Sequence, residues 1–230
     1  MRLELDAGNT RIKWRVCDHR ACYNAGSDLK QALQEEPSWL PLVEEVFASS
    51  VHDAQSQWIE THFPQVQFAH AQVAQHGLSN SYEDAHKMGV DRWLAMLGAW
   101  SKAPDQAHIV VDAGTAITLD LIDEFGRHVG GYICPGLQMM KTSLLASTDK
   151  VLAESQWQVG RAPGTSTQQC VDHGIQDLLV SWIEQHRSMQ PGAKVWLTGG
   201  NGEGLSSLLH EPASVEPDLV LDGLSVYFSK

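Results

Sequence analysis

Leu5-Asp6-Ala7-Gly8-Asn9-Thr10 and Val111-Asp112-Ala113-Gly114-Thr115-Ala116 say nearly the same thing twice. In each, an Asp ends an apolar run that reads as a strand, a Gly stands two residues later, and a Thr follows that Gly immediately or one residue on. A strand delivers the carboxylate to a fixed point. The Gly then lets the backbone turn tightly, so that N–H groups and the next hydroxyl face phosphate oxygens. A single Asp-x-Gly carries little weight, because both residues are ordinary in turns. Its recurrence implies two related halves with one nucleotide held between them.

Working outward, residues 2–7 and 11–17 alternate apolar and polar side chains across Gly8-Asn9, the pattern of a β-hairpin. Val43 to Ser50 reads as a strand, Asp53 to His62 as a helix, and the polar stretch from Ala71 to Asp84 as a loop or flap. Val90, Trp93, Leu94 and Leu97 form the apolar stripe of a helix running to about Lys102, with Asp91 in its first turn and off the stripe. Pro104 stops that helix, which places a domain boundary between 1–104 and 105–230. The second half repeats the plan, with strands near 108–113, 116–122 and 128–134 and a helix after Pro135-Gly136. A segment rich in Gly, Pro, Ser and Thr, 160–167, precedes a long helix whose buried face is expected to be Val171, Ile175, Leu178, Leu179 and Trp182. Lys194 to Thr198 reads as a strand, Gly199 to Gly202 as a sharp turn, and Leu219 to Phe228 as a terminal helix.

Bulk properties narrow the function. The 230 residues carry 16 Lys plus Arg against 28 Asp plus Glu, a formal charge of −12. That argues against a nucleic-acid or membrane-surface binder, which needs a basic face. Cys17, Cys22, Cys134 and Cys170 show no C-x-x-C spacing and read as reduced thiols. With no signal-peptide pattern and no run near ~18 apolar residues, a cytoplasmic protein without membrane contact is expected. The 11 histidines lack zinc-ligand spacing, and no G-x-x-x-x-G-K-[ST] is present. Gly200-Asn201-Gly202-Glu203-Gly204 imitates a dinucleotide fingerprint but has Leu205 where the third Gly is required. It reads as an adenosine-side turn.

Asp6-x-Gly8-Asn9-Thr10-x-x-Lys13, Gly89-Val90-Asp91-Arg92, Asp112-x-Gly114-Thr115-Ala116-x-Thr118-x-Asp120, Gly130-Gly131-x-x-x-Pro135-Gly136 and Leu197-Thr198-Gly199-Gly200 stand in one order along the chain. In this the sequence resembles the type III pantothenate kinases from end to end. The resemblance implies an α/β fold of two ribonuclease-H-like domains of the acetate and sugar kinase, Hsp70 and actin type, with a nucleotide cleft between them. It also implies ATP-dependent phosphorylation of pantothenate to 4'-phosphopantothenate, first step of coenzyme A biosynthesis, by a homodimer using Mg²⁺ and a monovalent cation, K⁺ or NH₄⁺.

Phosphoryl transfer asks a protein for positioning, charge neutralisation and a base for the attacking hydroxyl. By the resemblance ATP falls on Asp6, Ala7, Gly8, Asn9, Thr10, Arg11, Ile12 and Lys13, and on Thr115. Asp6 is the expected anchor for Mg²⁺, directly or through water, against the alternative of a turn-capping Asp. Lys13 offers a positive charge or simply faces solvent. Asp112 is the implied monovalent-cation ligand, and the Thr115 hydroxyl either meets ATP or satisfies its own turn. Asp91 is the expected general base, its ionised form favoured by the helix dipole, against the alternative of a first-turn cap. Tyr82, Gly89, Val90, Asp91, Arg92 and Thr167 are the implied pantothenate contacts, with Thr167 contributed across the dimer. Surplus apolar positions on the long helix, Ile183 among them, point the same way. Two other readings stand beside the kinase: a catalytically silent regulator of transcription with the same fold, and another small-molecule kinase or ATPase of the superfamily.

Overall fold

The computed structural model describes residues 1–18, 21–148, 151 and 153–229. The first unit, Met1–Pro104 with Asp218–Lys230, begins with strands β1 (Arg2–Ala7), β2 (Ile12–Cys17) and β3 (Cys22–Gly26) and helix α1 (Leu29–Gln34). Then come β4 (Glu45–Ser50), α2 (Asp53–His62), β5 (Val66–Phe68), the small hairpin β6 (Ala74–Gln75) and β7 (Leu78–Ser79), and α3 (Val90–Lys102). The second unit, Asp105–Pro217, contains β8 (His108–Ala113), β9 (Ala116–Ile122), β10 (His128–Pro135), α4 (Leu137–Ala146), α5 (Thr167–Met189), β11 (Lys194–Thr198), α6 (Gly202–Ser206) and β12 (Ser214–Val215). Helix α7 (Leu219–Tyr227) ends the chain. No helix of the described residues is long and apolar enough to cross a membrane.

The two large sheets have one plan. Their orders are β3-β2-β1-β4-β5 and β10-β9-β8-β11-β12. In each, three strands meander antiparallel and two more add in parallel beside the first. Asp6 therefore stands between Lys13 on β2 and Ser49 on β4, and Asp112 between Thr118 on β9 and Thr198 on β11. Each sheet buries its own core: Leu3, Leu5, Ile12, Trp14, Val16 and Ile59 in the first, and Ile109, Val111, Ile117, Leu119, Leu179 and Leu197 in the second.

Three expectations give way. Sequence order puts the terminal helix with the second half, but α7 packs on α3 of the first unit. The reason is a crossing built on two glycines: a Cβ on Gly98 would meet the Leu219 carbonyl oxygen at 2.5 Å, and one on Gly223 would overlap the Leu94 carbonyl. Such close approach makes α3 a central helix, buried without interruption from Arg92 to Trp100 rather than along one stripe.

Second, α5 buries a wider face than expected: Val171 and Leu179 are buried and Ile175 and Trp182 pack on the core, as the spacing implies, but polar positions join them. Asp172, Gln176, Leu179, Val180 and Ile183 are buried, whereas Leu178 is 59% exposed. Hydrophobicity alone underestimates that face because two polar residues on it have partners, so Ile183 is core and not surplus surface.

Third, Cys17 and Cys22 are not reduced thiols but a disulfide. The β2–β3 hairpin sets them directly opposite each other, a proximity that their five-residue separation does not reveal without knowledge of β3.

The crossing is open to direct test. Gly223→Ala is expected to lower stability by about 1–3 kcal/mol or more, the usual cost of overpacking, whereas Gly204→Ala, with open space around the added methyl, changes the thermal melt little. Equal melting temperatures for both variants would refute close packing at Gly223.

Candidate active site

Asp6 ends β1 and is partly buried. Its Oδ1 accepts a hydrogen bond from Ser49 Oγ at 2.7 Å. Burial raises its pKa to about 6, with the Asp91 charge adding to that effect, while the Ser49 bond and Lys13 oppose it. Two carboxylates in mutual repulsion, both hard oxygen donors, suit a divalent cation such as Mg²⁺, whose binding would relieve that repulsion. Across the β1–β2 turn, the Gly8 N–H donates to the Arg11 carbonyl at 3.2 Å, while Asn9, Thr10 and Arg11 are exposed. Ala7 and Ile12 are buried and pair in register, closing the hairpin beneath the exposed turn. Lys13 does not simply face solvent: its Nζ lies 2.6 Å from Asp218 Oδ1.

Asp91 sits in the first turn of α3, whose N-cap is Gly89. Its Oδ1 accepts from the Arg92 N–H at 2.8 Å. Any side chain at Gly89 would press on that oxygen, since a Cβ there falls 2.6 Å from Asp91 Oδ1. Glycine at 89 therefore protects the carboxylate's placement. Arg92 is only 4% exposed, and its NH1 donates to the Tyr82 hydroxyl at 2.6 Å. Val90 is buried behind this turn. Gly89 through Arg92, Tyr82 and the Asp6 end of β1 thus belong to the same unit, with Asp91 close enough to Asp6 for its charge to be felt there.

In the second unit Asp112 ends β8. The turn after β11 packs on it: Gly199 has φ +79°, and a Cβ there would overlap Asp112 Oδ1. Asn201 binds the neighbouring Ala113 carbonyl through its backbone N–H at 3.0 Å and Nδ2 at 3.2 Å. Asp112 offers the oxygen donor that an alkali cation takes. Thr115 is exposed at the β8–β9 turn, and its carbonyl accepts from Gly136 N at 2.9 Å. Thr167 opens α5 beside Ser166, the N-cap, and faces a groove of about 650 Å³ between α4 and α5. Sequence reasoning missed Ser49, Asn80, which accepts from Tyr82 N at 3.0 Å, and Asp218. None has a motif of its own, and each matters through a partner distant in sequence or across a turn.

The duplicated sheets, each ending a first strand in an Asp followed by a glycine turn, define the acetate and sugar kinase, Hsp70 and actin type of fold. Solved structures bear this out. A protein assigned as a 2-dehydro-3-deoxygalactonokinase from Sinorhizobium meliloti is similar at TM-score 0.58 and 13% identity, covering 99% of this chain and 98% of that one. One assigned to the Baf family of transcriptional activators from Campylobacter jejuni is similar at TM-score 0.60 and 20% identity, covering 98% and 96%. The type III pantothenate kinase family model matches residues 2–188, and a type III pantothenate kinase from Marinobacter nauticus is 37% identical over 97% of this chain and 96% of its own length. The chain belongs to the type III pantothenate kinase family.

The raised pKa of Asp6 has a measurable consequence. The folded state holds a proton on Asp6 that the unfolded chain has already released, so folding loses stability as pH rises from about 4 to about 6 and carries the full penalty above that. Asp6→Asn is expected to stabilise the ligand-free protein at pH 8 by about 1–3 kcal/mol, allowing for partial exposure. The gain should vanish below pH ~4, where both states are protonated. Denaturation at the two pH values checks this, and a gain independent of pH would exclude ionisation as its source.

Proposed function

We infer that this chain transfers the γ-phosphoryl group of ATP to the hydroxyl of pantothenate, yielding 4'-phosphopantothenate, the first step toward coenzyme A, in the cytoplasm. The observation that carries the mechanistic reading is the start of α3, where Gly89 and the Arg92 amide fix the Asp91 carboxylate while its charge reaches Asp6. In this reading Asp91 accepts the proton of the attacking hydroxyl. Tyr82, Gly89, Val90 and Arg92 surround the substrate, and the Tyr82–Arg92 hydrogen bond orients the guanidinium. Asp6 through Lys13 and Thr115 bind ATP, with backbone N–H groups and Lys13 meeting phosphate oxygens. Mg²⁺, held by Asp6 directly or through water, would offset the phosphate charge, and Asp112 would hold K⁺ or NH₄⁺.

A coupled assay of ADP release separates the possibilities. Turnover is expected only with pantothenate and with potassium or ammonium in place of sodium. Asp91→Asn should lower kcat by ~10²–10⁴ at nearly unchanged ATP affinity and melting temperature, because Asn keeps the oxygen that Arg92 binds. Turnover without pantothenate would point to another ATPase of the fold, and no turnover at all to a silent regulator. Retention of more than about a tenth of kcat by Asp91→Asn would leave Asp91 a cap or contact rather than the base.

The α4–α5 groove supports a homodimer. Leu178 and Leu144, 59% and 39% exposed, line it with Met140, Ile175 and Thr167, an apolar face of the kind that marks an interface. With a second copy on this face, Thr167 would serve the partner's substrate. Light scattering at micromolar concentration should give twice the chain mass of 25.3 kDa, and Leu178→Glu should shift it toward the monomer. A monomer mass for the unaltered protein would exclude this arrangement.

A further inference from the structure

One buried ion pair in the second unit has no part in the chemistry assigned above. Lys141 of α4 and Asp172 of α5 are 1% and 0% exposed, with Nζ 2.8 Å from Oδ1. The ammonium also lies 4.5 Å from the centre of the Trp157 ring. Taking both charges out of water is costly, and an apolar pair of similar volume is often as stable. Stability is therefore a weak reason for the pair.

Its surroundings give a better one. Asp172 Oδ2 accepts from the Gln158 N–H at 2.9 Å and from Gln168 Nε2 at 2.5 Å. Gln168 is the residue after Thr167. Its amide also donates to the Gln156 carbonyl at 3.0 Å and accepts from Glu154 N at 2.5 Å. Gln176, one turn beyond Asp172 on α5, donates to the Gln158 carbonyl at 2.7 Å. One carboxylate thus joins α4, the strap of residues 154–158 and the first turn of α5, where Thr167 faces the groove.

We propose that the Lys141–Asp172 pair is a positioning device for substrate binding: it sets the first turn of α5, through Gln168 and the 154–158 strap, so that the Thr167 hydroxyl is held in place for pantothenate. The proposal rests on Thr167 being a pantothenate contact. Neither Lys141 nor Asp172 touches the substrate. A carboxylate provides what no apolar pair can, two acceptor oxygens that draw a backbone N–H, a side-chain amide and an ammonium to one point.

The test compares Thr167→Val, the charge-neutral double variant Lys141→Met with Asp172→Leu, and Gln168→Leu, which cuts the link while leaving the buried pair intact. The double variant avoids stranding one buried charge. Since misplacing a substrate-positioning group by about 1 Å can cost up to ~10²-fold, KM for pantothenate is expected to rise about tenfold in the double variant and in the same direction for Gln168→Leu. The kcat and the KM for ATP should stay within about twofold, because chemistry and nucleotide contacts lie elsewhere. Lys141→Arg, which keeps the pair, should remain near the unaltered KM. If the double variant is not recovered folded, Gln168→Leu carries the test alone. A raised KM for Thr167→Val with unchanged values for the others overturns the positioning role alone, and an unchanged KM for Thr167→Val overturns the contact on which it rests. A uniform fall in kcat for both substrates would make the pair merely structural and also overturn the proposal.

Discussion

The crossing of α3 and α7 is the constraint on which the first unit depends. Gly98 and Gly223 bring the two backbones into contact at a place where any side chain would intrude, so the last helix returns to the unit that holds the first strand. From there α7 supplies charges that the sheet needs. Asp222 lies 2.6 Å from Arg15 and 3.0 Å from Lys102, and Ser225 Oγ donates to Glu4 at 2.5 Å. Glu4 is wholly buried, a position a carboxylate holds only when paired. Arg2 and Arg15 meet it at 2.8 and 2.7 Å. Burial works against the Arg15 charge, but Glu4 and Asp222 outweigh it and raise its pKa. The same helix start sets Asp218 against Lys13, so the position of a proposed phosphate-binding cation is tied to a crossing of two glycines.

The two sheets show how one scaffold supports different chemistry. Both deliver an Asp from the end of the first strand, flanked by an antiparallel and a parallel neighbour. What differs is the flank. Asp6 has Lys13 and a hydrogen-bonding Ser49, whereas Asp112 has Thr118 and Thr198 beside it and the Gly199 turn packed on its oxygen. Around the first Asp, the Lys13 and Asp91 charges act in opposite directions. The proposed divalent-cation anchor and monovalent-cation ligand would thus be placed by one shared strand geometry.

Much of this was readable because local signals agreed with the fold. The start of α3 could be placed from apolar spacing, and β8, β9 and β10 from the repeat of the first half's plan, since their tertiary surroundings ask for what propensity already favours. The Asp-x-Gly turn was readable twice for the same reason. What the sequence concealed depends on partners far along the chain. Gly98 and Gly223 look like weak points in helices until each is seen against a carbonyl oxygen. Asp172 and Gln176 look like solvent-facing residues of α5, and their burial widens the inner face to include Ile183. Cys22 could be paired with Cys17 only by recognising β3, whose five residues Cys-Tyr-Asn-Ala-Gly have little strand character. Lys13 could not be assigned without knowing that Asp218 comes back to the first sheet.

An acidic protein that handles a polyanion faces a field problem. With a net charge of −12, the surface as a whole repels nucleotide, so attraction must be local and strong enough to overcome that background. Yet the local charges of the first unit make matters worse before they improve: Asp6 and Asp91 repel each other, and the Lys13 charge is already engaged by Asp218. The backbone N–H groups of the exposed turn, the proposed phosphate contacts, carry only partial charge. In the proposed site a divalent cation would resolve both difficulties together, drawn by the carboxylates and in turn drawing the phosphates. The proposed arrangement would therefore favour the metal complex of the nucleotide over the bare anion. On the proposed reading, carboxylates in a site for negative charge have a purpose: they would select the cation, and the cation would select the substrate.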